Sequence, residues 1–130
     1  MIVDSSALVA VLLNEPEALR LITAIAKSPV CRVPASCVLE SSMLLLGLRG
    51  EDGVRGLDLF IARDRMEVAP FTEAQARIAR EAFKRYGKGR HPAKLNFGDC
   101  MAYALAKETG EELLFKGTDF AQTDIAAASY

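Results

Sequence analysis

The sequence predicts an α/β fold, an open parallel sheet with helices on both faces. Short apolar runs of strand length alternate with longer segments in which apolar residues recur at helical spacing. This alternation is typical of parallel β-α-β units. The chain has 130 residues, 51% of them hydrophobic, and contains no repeat, low-complexity tract or Pro/Gly/Ser-rich linker. We therefore expect a single domain over residues 1–130.

The first two strands are predicted at residues 2–3 and 30–33, where short apolar runs end at polar or proline residues. A helix is predicted between them. Asn14 is its expected cap, Pro16 suits its first turn, and Glu17 completes a capping box three residues after the cap.

The middle of the chain is predicted to be mainly helical. A long apolar helix runs over residues 35–48, and Gly50 lies just past its end, as is common for a helix terminus. A second helix over residues 51–63 leads into a third strand at residues 67–70.

Two further helices begin at capping residues. Thr72 and Gln75 form a capping box that opens a helix toward Tyr86, and after a polar loop Asn96 caps a helix that ends near Gly110. The remaining strands are predicted at residues 113–115 and, as a short edge strand, at 125–127.

Composition excludes several classes of protein. The formal net charge is −1, so no global basic field steers the chain to nucleic acid. A single histidine, His91, excludes a histidine-rich zinc site, and three cysteines without C-x-x-C spacing indicate a reducing compartment. The longest apolar stretch near the start, residues 7–13, is too short to span a membrane, and no basic segment precedes it. We expect a cytoplasmic protein with no membrane partner.

Two acidic residues follow predicted strands. Asp4 comes directly after the first strand, and Asp119 follows residues 113–115 after a short loop. Ligands of open parallel sheets bind beyond the carboxyl ends of the strands. Both acids are therefore candidate site residues, although an acid in this position also serves as a turn or cap residue.

Two further acids lie on predicted helices with few other charges. Glu40 is the only charged residue between Arg32 and Arg49, and its neighbours at helical spacing are mostly apolar. Asp99 lies in the first turn of its helix, where the helix dipole favours the ionised form, and Gly98 permits close approach of another group. The alternatives are that Glu40 reaches solvent and that Asp99 is only a capping acid.

If these four acids converge, their mutual repulsion requires a cation. Ligands that are all oxygen atoms favour a hard ion, Mg²⁺ or Mn²⁺, over zinc. Such an ion orients a water for in-line attack on a phosphodiester and stabilises the leaving oxygen. The pattern therefore predicts metal-dependent hydrolysis, provided that the four side chains meet.

Four parts of the chain together resemble PIN-domain ribonucleases, and among them VapC-type toxins. They are MIVDSSA at the N-terminus, Glu40 in a mid-chain helix, LNFGDCMAYALA over 95–106 and LFKGTDF over 114–120. The resemblance implies a three-layer α/β/α sandwich with a central parallel sheet and Mg²⁺-dependent hydrolysis of RNA, with Mn²⁺ as a substitute ion. It also implies a homodimer and a cognate VapB-type antitoxin as partners.

The resemblance also implies roles for individual residues. Asp4 and Asp99 match the principal metal ligands of the family, Glu40 matches a helix acid that binds the metal or its water, and Ser6 matches a hydroxyl that supports the first aspartate.

The match is weakest at Thr118, where many relatives have Asp or Asn. Either Asp119 supplies the fourth carboxylate, or Thr118 contributes only a hydroxyl. Asp124 is a more distant substitute that we expect to be a turn residue.

Residues 77–94 carry seven Lys or Arg residues with Glu81 as the only acid. Five of these are predicted to form a phosphate track that leads RNA toward the carboxylates: Arg77, Arg80, Lys84, Lys88 and Arg90. The first four fall on one helix face if the helix extends that far. A solvated helix face is the alternative. Tyr86 and His91 are candidates for stacking on bases.

The sequence favours a metal-dependent endoribonuclease that is the toxin of a toxin–antitoxin pair. The alternative is a PIN-like module that has lost catalysis and binds RNA or protein. A phosphoaspartyl phosphatase would need a second acid at Ser6, and a receiver domain would need one at Ser5. No glycine-rich nucleotide-binding loop is present.

Overall fold

The computed structural model describes all 130 residues and confirms the α/β prediction. One sheet of four parallel strands has the order β3-β2-β1-β4. Its strands are β1 (Ile2–Val3), β2 (Arg32–Pro34), β3 (Glu67–Ala69) and β4 (Leu113–Leu114). The chain proceeds from β1 outward to β3 and then returns to β4 on the other side of β1. The strand order therefore reverses at β1, and the crevice where ligands bind lies beyond the carboxyl ends of β1 and β4.

Five helices connect and cover these strands, because parallel neighbours need crossover connections. They are α1 (Ser5–Leu12), α2 (Ala18–Lys27), α3 (Ala35–Arg63), α4 (Glu73–Tyr86) and α5 (Phe97–Thr109), and a 3-10 turn, Phe120–Gln122, follows β4. None of the helices combines the length and the apolar character that crossing a membrane requires.

Helix α1 was not predicted, and the predicted cap of the next helix is wrong. The α1 segment is apolar almost throughout, so it lacks the polar face that marks a surface helix. Asn14 adopts a left-handed conformation, with φ of 54°, and caps nothing. Glu17 occupies the N-cap of α2 without a side-chain hydrogen bond.

The other local predictions hold more closely. Gly50 interrupts α3 with a φ of 61° and a ψ of −154°, so the predicted break between two helical segments is confirmed. Thr72 caps α4, and Asn96 forms a capping box with Asp99 at the start of α5. The predicted edge strand at 125–127 is only an isolated bridge between Leu113 and Ala127.

The centre of the sheet is buried on both faces. Side chains of β1 and β4, among them Ile2, Val3 and Leu114, are fully buried, and α5 contributes small buried residues such as Ala102 and Ala104. Small side chains allow a helix to pack close to a sheet. The strand ends that carry Asp4 and the β4 loop are therefore fixed by the core.

Candidate active site

Asp4 lies where β1 ends and α1 begins, and its side chain is only 2% exposed. Its Oδ2 accepts hydrogen bonds from the Ser6 backbone N–H at 2.9 Å and from the Ser6 hydroxyl at 2.6 Å. The Cys37 thiol donates toward Oδ1 from 3.8 Å. Burial raises the pKa of Asp4, the hydrogen bonds from Ser6 lower it, and the charge of Glu40 raises it. Neighbouring side chains thus hold both oxygens of this carboxylate at the crevice.

Ser6 also connects Asp4 to the segment that follows β4. Its Oγ accepts a hydrogen bond from the Lys116 backbone N–H at 3.0 Å while its own proton goes to Asp4. One hydroxyl therefore ties the ends of two neighbouring strands together at the carboxylate.

Asp99 lies in the first turn of α5, where it is both a capping residue and a member of the site. Its Oδ2 accepts the Asn96 backbone N–H at 2.8 Å, and its own N–H donates to Asn96 Oδ1 at 2.9 Å. Burial raises the pKa of Asp99 to about 6, and the charges of Asp4, Asp119 and Glu40 act in the same direction, although the Asn96 hydrogen bond lowers it. Burial and repulsion thus outweigh the helix-start environment that was predicted to favour the ionised form.

Glu40 lies in the second turn of α3, and it is exposed. Its exposure agrees with the alternative that Glu40 reaches solvent. Of its neighbours at helical spacing, Met43 and Leu44 are themselves exposed, whereas Cys37 is buried. The Glu40 carboxylate nevertheless points toward α5. A Cβ added at Gly98 would come within 2.7 Å of Glu40 Oε2, so the glycine provides the close approach that the sequence predicted.

Asp119 precedes the 3-10 turn after β4 and is exposed, as is Thr118. The charge of Asp119 contributes to the raised pKa of Asp99, so the two carboxylates interact electrostatically. The Thr118 hydroxyl makes no hydrogen bond to any of these acids. Of the two residues, Asp119 therefore has the electrostatic link to the site.

These four acids, Asp4, Glu40, Asp99 and Asp119, have no basic partner. None of them forms a salt bridge, and the nearby Lys116 ammonium pairs instead with Glu15 and Glu17. The donor set consists of oxygen atoms, which suits a hard divalent cation and supplies the charge to hold it. No group of three or more acidic, histidine or cysteine side chains is arranged to hold a metal ion. The four acids therefore do not form a preassembled metal centre.

Asp124 lies outside this site. It accepts the Tyr103 hydroxyl at 2.6 Å and the Lys107 ammonium at 2.9 Å, and the Arg85 guanidinium is 3.9 Å away. Hydrogen bonds from Lys107 and Tyr103 lower the pKa of Asp124 to about 2. Its contacts fasten the C-terminal segment to α4 and α5.

The predicted basic track is not one continuous helix face. Helix α4 ends at Tyr86, so Lys88 lies beyond it in the loop. The α4 cations have acidic partners: Arg77 pairs with Glu73, and Lys84 and Arg80 lie 2.7 Å and 3.6 Å from Glu81. Lys88 and Arg90 have none. Tyr86 is only 8% exposed and packs against Tyr103, so it cannot stack on bases as predicted.

Cys37 contacts Asp4, although its role in the site was not predicted from the sequence. Burial raises the pKa of this thiol well above its ordinary value, and the charge of Asp4 acts in the same direction, so the sulfur keeps its proton and remains a donor. Its spacing could have indicated this role: Cys37 lies three residues before Glu40, and residues at that spacing share a helix face.

Comparison with known proteins gives a consistent family. A family model described as PIN domain matches residues 1–126. Ribonuclease VapC of Mycolicibacterium smegmatis is 47% identical over 127 residues, which cover 98% of either chain. Ribonuclease VapC30 of Mycobacterium tuberculosis is 43% identical, with 99% of this chain and 98% of that protein covered.

Solved structures share the fold at low sequence identity. The crystal structure of Mycobacterium tuberculosis VapC20, a sarcin-ricin loop cleaving toxin, aligns with a TM-score of 0.79 and 18% identity over 96% of this chain and 95% of that one. VapBC2 from Rickettsia felis, bound to a DNA fragment from its promoter, aligns with a TM-score of 0.76 and 13% identity over 97% and 94% of the two chains.

Proposed function

Because this chain belongs to the PIN-domain family, we propose that it is an endoribonuclease and the toxin of a VapBC-type toxin–antitoxin pair. The observation that supports the proposal is electrostatic: the charges of Asp4, Glu40 and Asp119, from three other chain segments, all raise the pKa of Asp99, and none of the four acids has a basic partner. Such a site suits the metal-dependent hydrolysis of a phosphodiester. The full-length similarity to proteins named as ribonucleases supports RNA as the substrate.

We expect the acidic site to hold Mg²⁺, with Mn²⁺ as a substitute, through Asp4, Glu40, Asp99 and Asp119. Mg²⁺ sites in proteins commonly use one or two carboxylates and keep several waters, so an open arrangement of acids is compatible with this ion. When bound, the ion would supply an activated water for in-line attack and a positive charge for the leaving oxygen.

The remaining groups of the site position its carboxylates. Ser6 and Cys37 donate to opposite oxygens of Asp4, which restricts rotation of that carboxylate. The Asn96 N–H fixes one oxygen of Asp99 in the same way. Glu40 and Asp119 are exposed and remain able to reach a substrate phosphate through a cation or water. Thr118 makes no hydrogen bond to these acids, so its proposed supporting role is to offer a hydroxyl to a bound water or ion.

The proposed partners follow from charge and exposed apolar surface. RNA would approach along the basic residues Arg77, Arg80, Lys84, Lys88 and Arg90. A second copy of the chain and a VapB-type antitoxin would cover exposed apolar residues of α2 and α3, such as Leu19, Met43 and Leu48. The three free, buried cysteines suit the cytoplasm, where thiols stay reduced.

Cleavage of a mixed pool of cellular RNA with Mg²⁺ tests the proposal without requiring a known target. Asp4→Asn and Asp99→Asn should each reduce cleavage by about 100-fold or more. Asp52→Asn is the matched control, because this acid lies on α3 with its side chain 89% exposed and outside the site. Wild-type cleavage rates in either site variant would reject the nuclease proposal.

The alternative function, an inactive PIN-like module that binds RNA or protein, is favoured because no group of three or more acidic, histidine or cysteine side chains is arranged to hold a metal ion. Calorimetric titration with Mn²⁺ distinguishes the two. The nuclease should bind Mn²⁺ and lose this binding in Asp4→Asn and Asp99→Asn, whereas RNA binding without Mn²⁺ binding would identify the inactive module.

A further inference from the structure

The loop between α4 and α5 presents three basic side chains that have no acidic partner: Lys88, Arg90 and Lys94. We propose that this basic loop, residues 88–94, is a binding site for an internal phosphate of the RNA chain. The inference rests on the proposed function. Of the five basic residues predicted to bind RNA it keeps Lys88 and Arg90, and it adds Lys94.

The pairing of charges separates the basic loop from α4. Each α4 cation lies beside an acid: Arg77 beside Glu73, Arg80 and Lys84 beside Glu81, and Arg85 within 3.9 Å of Asp124. The three loop cations form no salt bridge. A cation whose charge is already balanced by a carboxylate gains less from a phosphate than one that is free, so the loop should dominate binding.

The shape of the loop suits a compact anion. Six of its residues line one shallow depression, and all three cations are among them: Lys88, Gly89, Arg90, His91, Pro92 and Lys94. The Arg90 guanidinium lies over the Phe83 ring, 5.9 Å from its centre, which orients the group at the edge of this depression.

The loop is held in place by its own hydrogen bonds. Its base is closed where the Lys88 N–H donates to the Leu95 carbonyl at 2.9 Å and the Leu95 N–H donates to the Tyr86 carbonyl at 2.9 Å. Within the loop, the Ala93 N–H donates to His91 Nδ1 at 3.1 Å, and Ala93 and Leu95 are fully buried. A preformed loop loses little conformational entropy when a ligand binds.

Lys94 has a left-handed backbone conformation, with φ of 52°, which residues other than glycine, Asn and Asp seldom adopt. Its N–H donates to the His91 carbonyl at 3.0 Å, so this conformation is part of the turn that closes the loop.

The basic loop is adjacent to the acidic site along the chain. Lys94 lies two residues before Asn96, whose N–H binds the Asp99 carboxylate. Lys94 and Asp99 are five positions apart, and five residues of fully extended chain span at most about 18 Å, so their backbones lie within that distance. A phosphate bound in the loop would therefore belong to a nucleotide a few positions from the bond that is cleaved.

Two triple variants with the same change in net charge test this inference. The loop variant is Lys88→Gln, Arg90→Gln and Lys94→Asn, in which Asn tolerates the left-handed backbone. The control is Arg77→Gln, Arg80→Gln and Lys84→Gln on α4. The probe is a fluorescent single-stranded RNA oligonucleotide in EDTA, titrated at several salt concentrations.

The loop variant should weaken RNA binding and reduce the slope of log Kd against log salt by about 0.7, the value of the one phosphate contact that is lost. The α4 control should change the slope by less than half as much. Equal changes in the two variants, or no RNA binding by the wild type, would overturn the inference. Lys94→Asn alone should weaken RNA binding and reduce the slope in the same direction by a smaller amount, which keeps the test valid if the triple variant unfolds.

The outcome is separable from that of the proposed function. If the loop variant loses RNA binding while wild-type protein fails to cleave RNA with Mg²⁺, the nuclease proposal fails and the phosphate site stands. If the wild type cleaves RNA and the loop variant binds it normally, the phosphate site fails and the nuclease proposal stands.

Discussion

The carboxylate of Glu40 lies directly against the backbone of Gly98, so closely that a Cβ at position 98 would come within 2.7 Å of Glu40 Oε2. This contact joins the start of α3 to the first turn of α5, one residue before Asp99. The lack of a side chain at position 98 therefore sets how near two of the site acids approach each other.

Gly98→Ala should separate stability from activity. Alanine is up to about 1 kcal/mol more favourable than glycine within a helix, and the exposed Glu40 side chain can rotate away from the new methyl group. We expect an unchanged or higher melting temperature together with weaker Mn²⁺ binding and slower RNA cleavage. Gly47→Ala, with nothing near its added Cβ, is the matched control and should leave cleavage unchanged.

Asp99→Asn should stabilise the metal-free protein more at pH 7 than at pH 4. The folded-state pKa of Asp99, about 6, lies above that of an unfolded aspartate, so its contribution to stability is full below about pH 4 and is lost as the pH rises through 6. With allowance for solvent screening, the gain at pH 7 is about 1 kcal/mol. Urea unfolding of the wild-type and Asp99→Asn proteins in EDTA, from pH 4 to pH 7, measures this difference in the free energy of unfolding. A difference that does not change with pH would contradict the assignment.

Divalent ions should stabilise the wild-type protein by binding the folded state only. Added Mn²⁺ should raise the melting temperature, and the increase should be larger at pH 7 than at pH 5, because protons compete for the same carboxylates. Asp4→Asn should show little increase, whereas Asp52→Asn should respond as the wild type does. A scanning thermal-denaturation series with and without Mn²⁺ measures these shifts.

Ser6→Ala should lower both stability and activity. The substitution removes the hydroxyl that donates to Asp4 Oδ2 and accepts the Lys116 N–H, leaving a backbone donor unpaired. We expect a loss of about 1–3 kcal/mol in the free energy of unfolding. Cleavage should fall as well, because the Asp4 carboxylate is held less firmly. Normal cleavage in a stably folded Ser6→Ala protein would show that the hydroxyl serves folding alone.

Asp124→Asn should affect stability without affecting cleavage. It removes charge-assisted contacts with Lys107 and Tyr103 that hold the pKa of Asp124 at about 2. Because this side chain is largely exposed, the cost at pH 7 is at most about 1 kcal/mol. The contribution of Asp124 is present above about pH 4 and is lost as the pH falls toward 2. Loss of RNA cleavage in this variant would return Asp124 to the list of site acids.

Local signals in the sequence predicted much of the fold. Thr72 and Asn96 were identified as caps because a cap depends only on a side chain and the next three backbone groups. Gly50 was identified as a helix break for a similarly local reason. Helix α1 was missed because its residues are apolar almost all round, and periodicity alone cannot distinguish such a segment from a strand.

The sequence by itself determined the alternation of strands and helices, the positions of the acids along the chain and their chemistry as oxygen ligands. Tertiary structure alone decided that Glu40 is exposed and lies against Gly98. It also decided that the charge of Asp119, and not that of Asp124, raises the pKa of Asp99, and that Lys88 lies beyond the end of α4. The physical reason is that helical spacing shows which residues share a face, whereas the packing of distant segments decides whether that face meets the core, another acid or solvent.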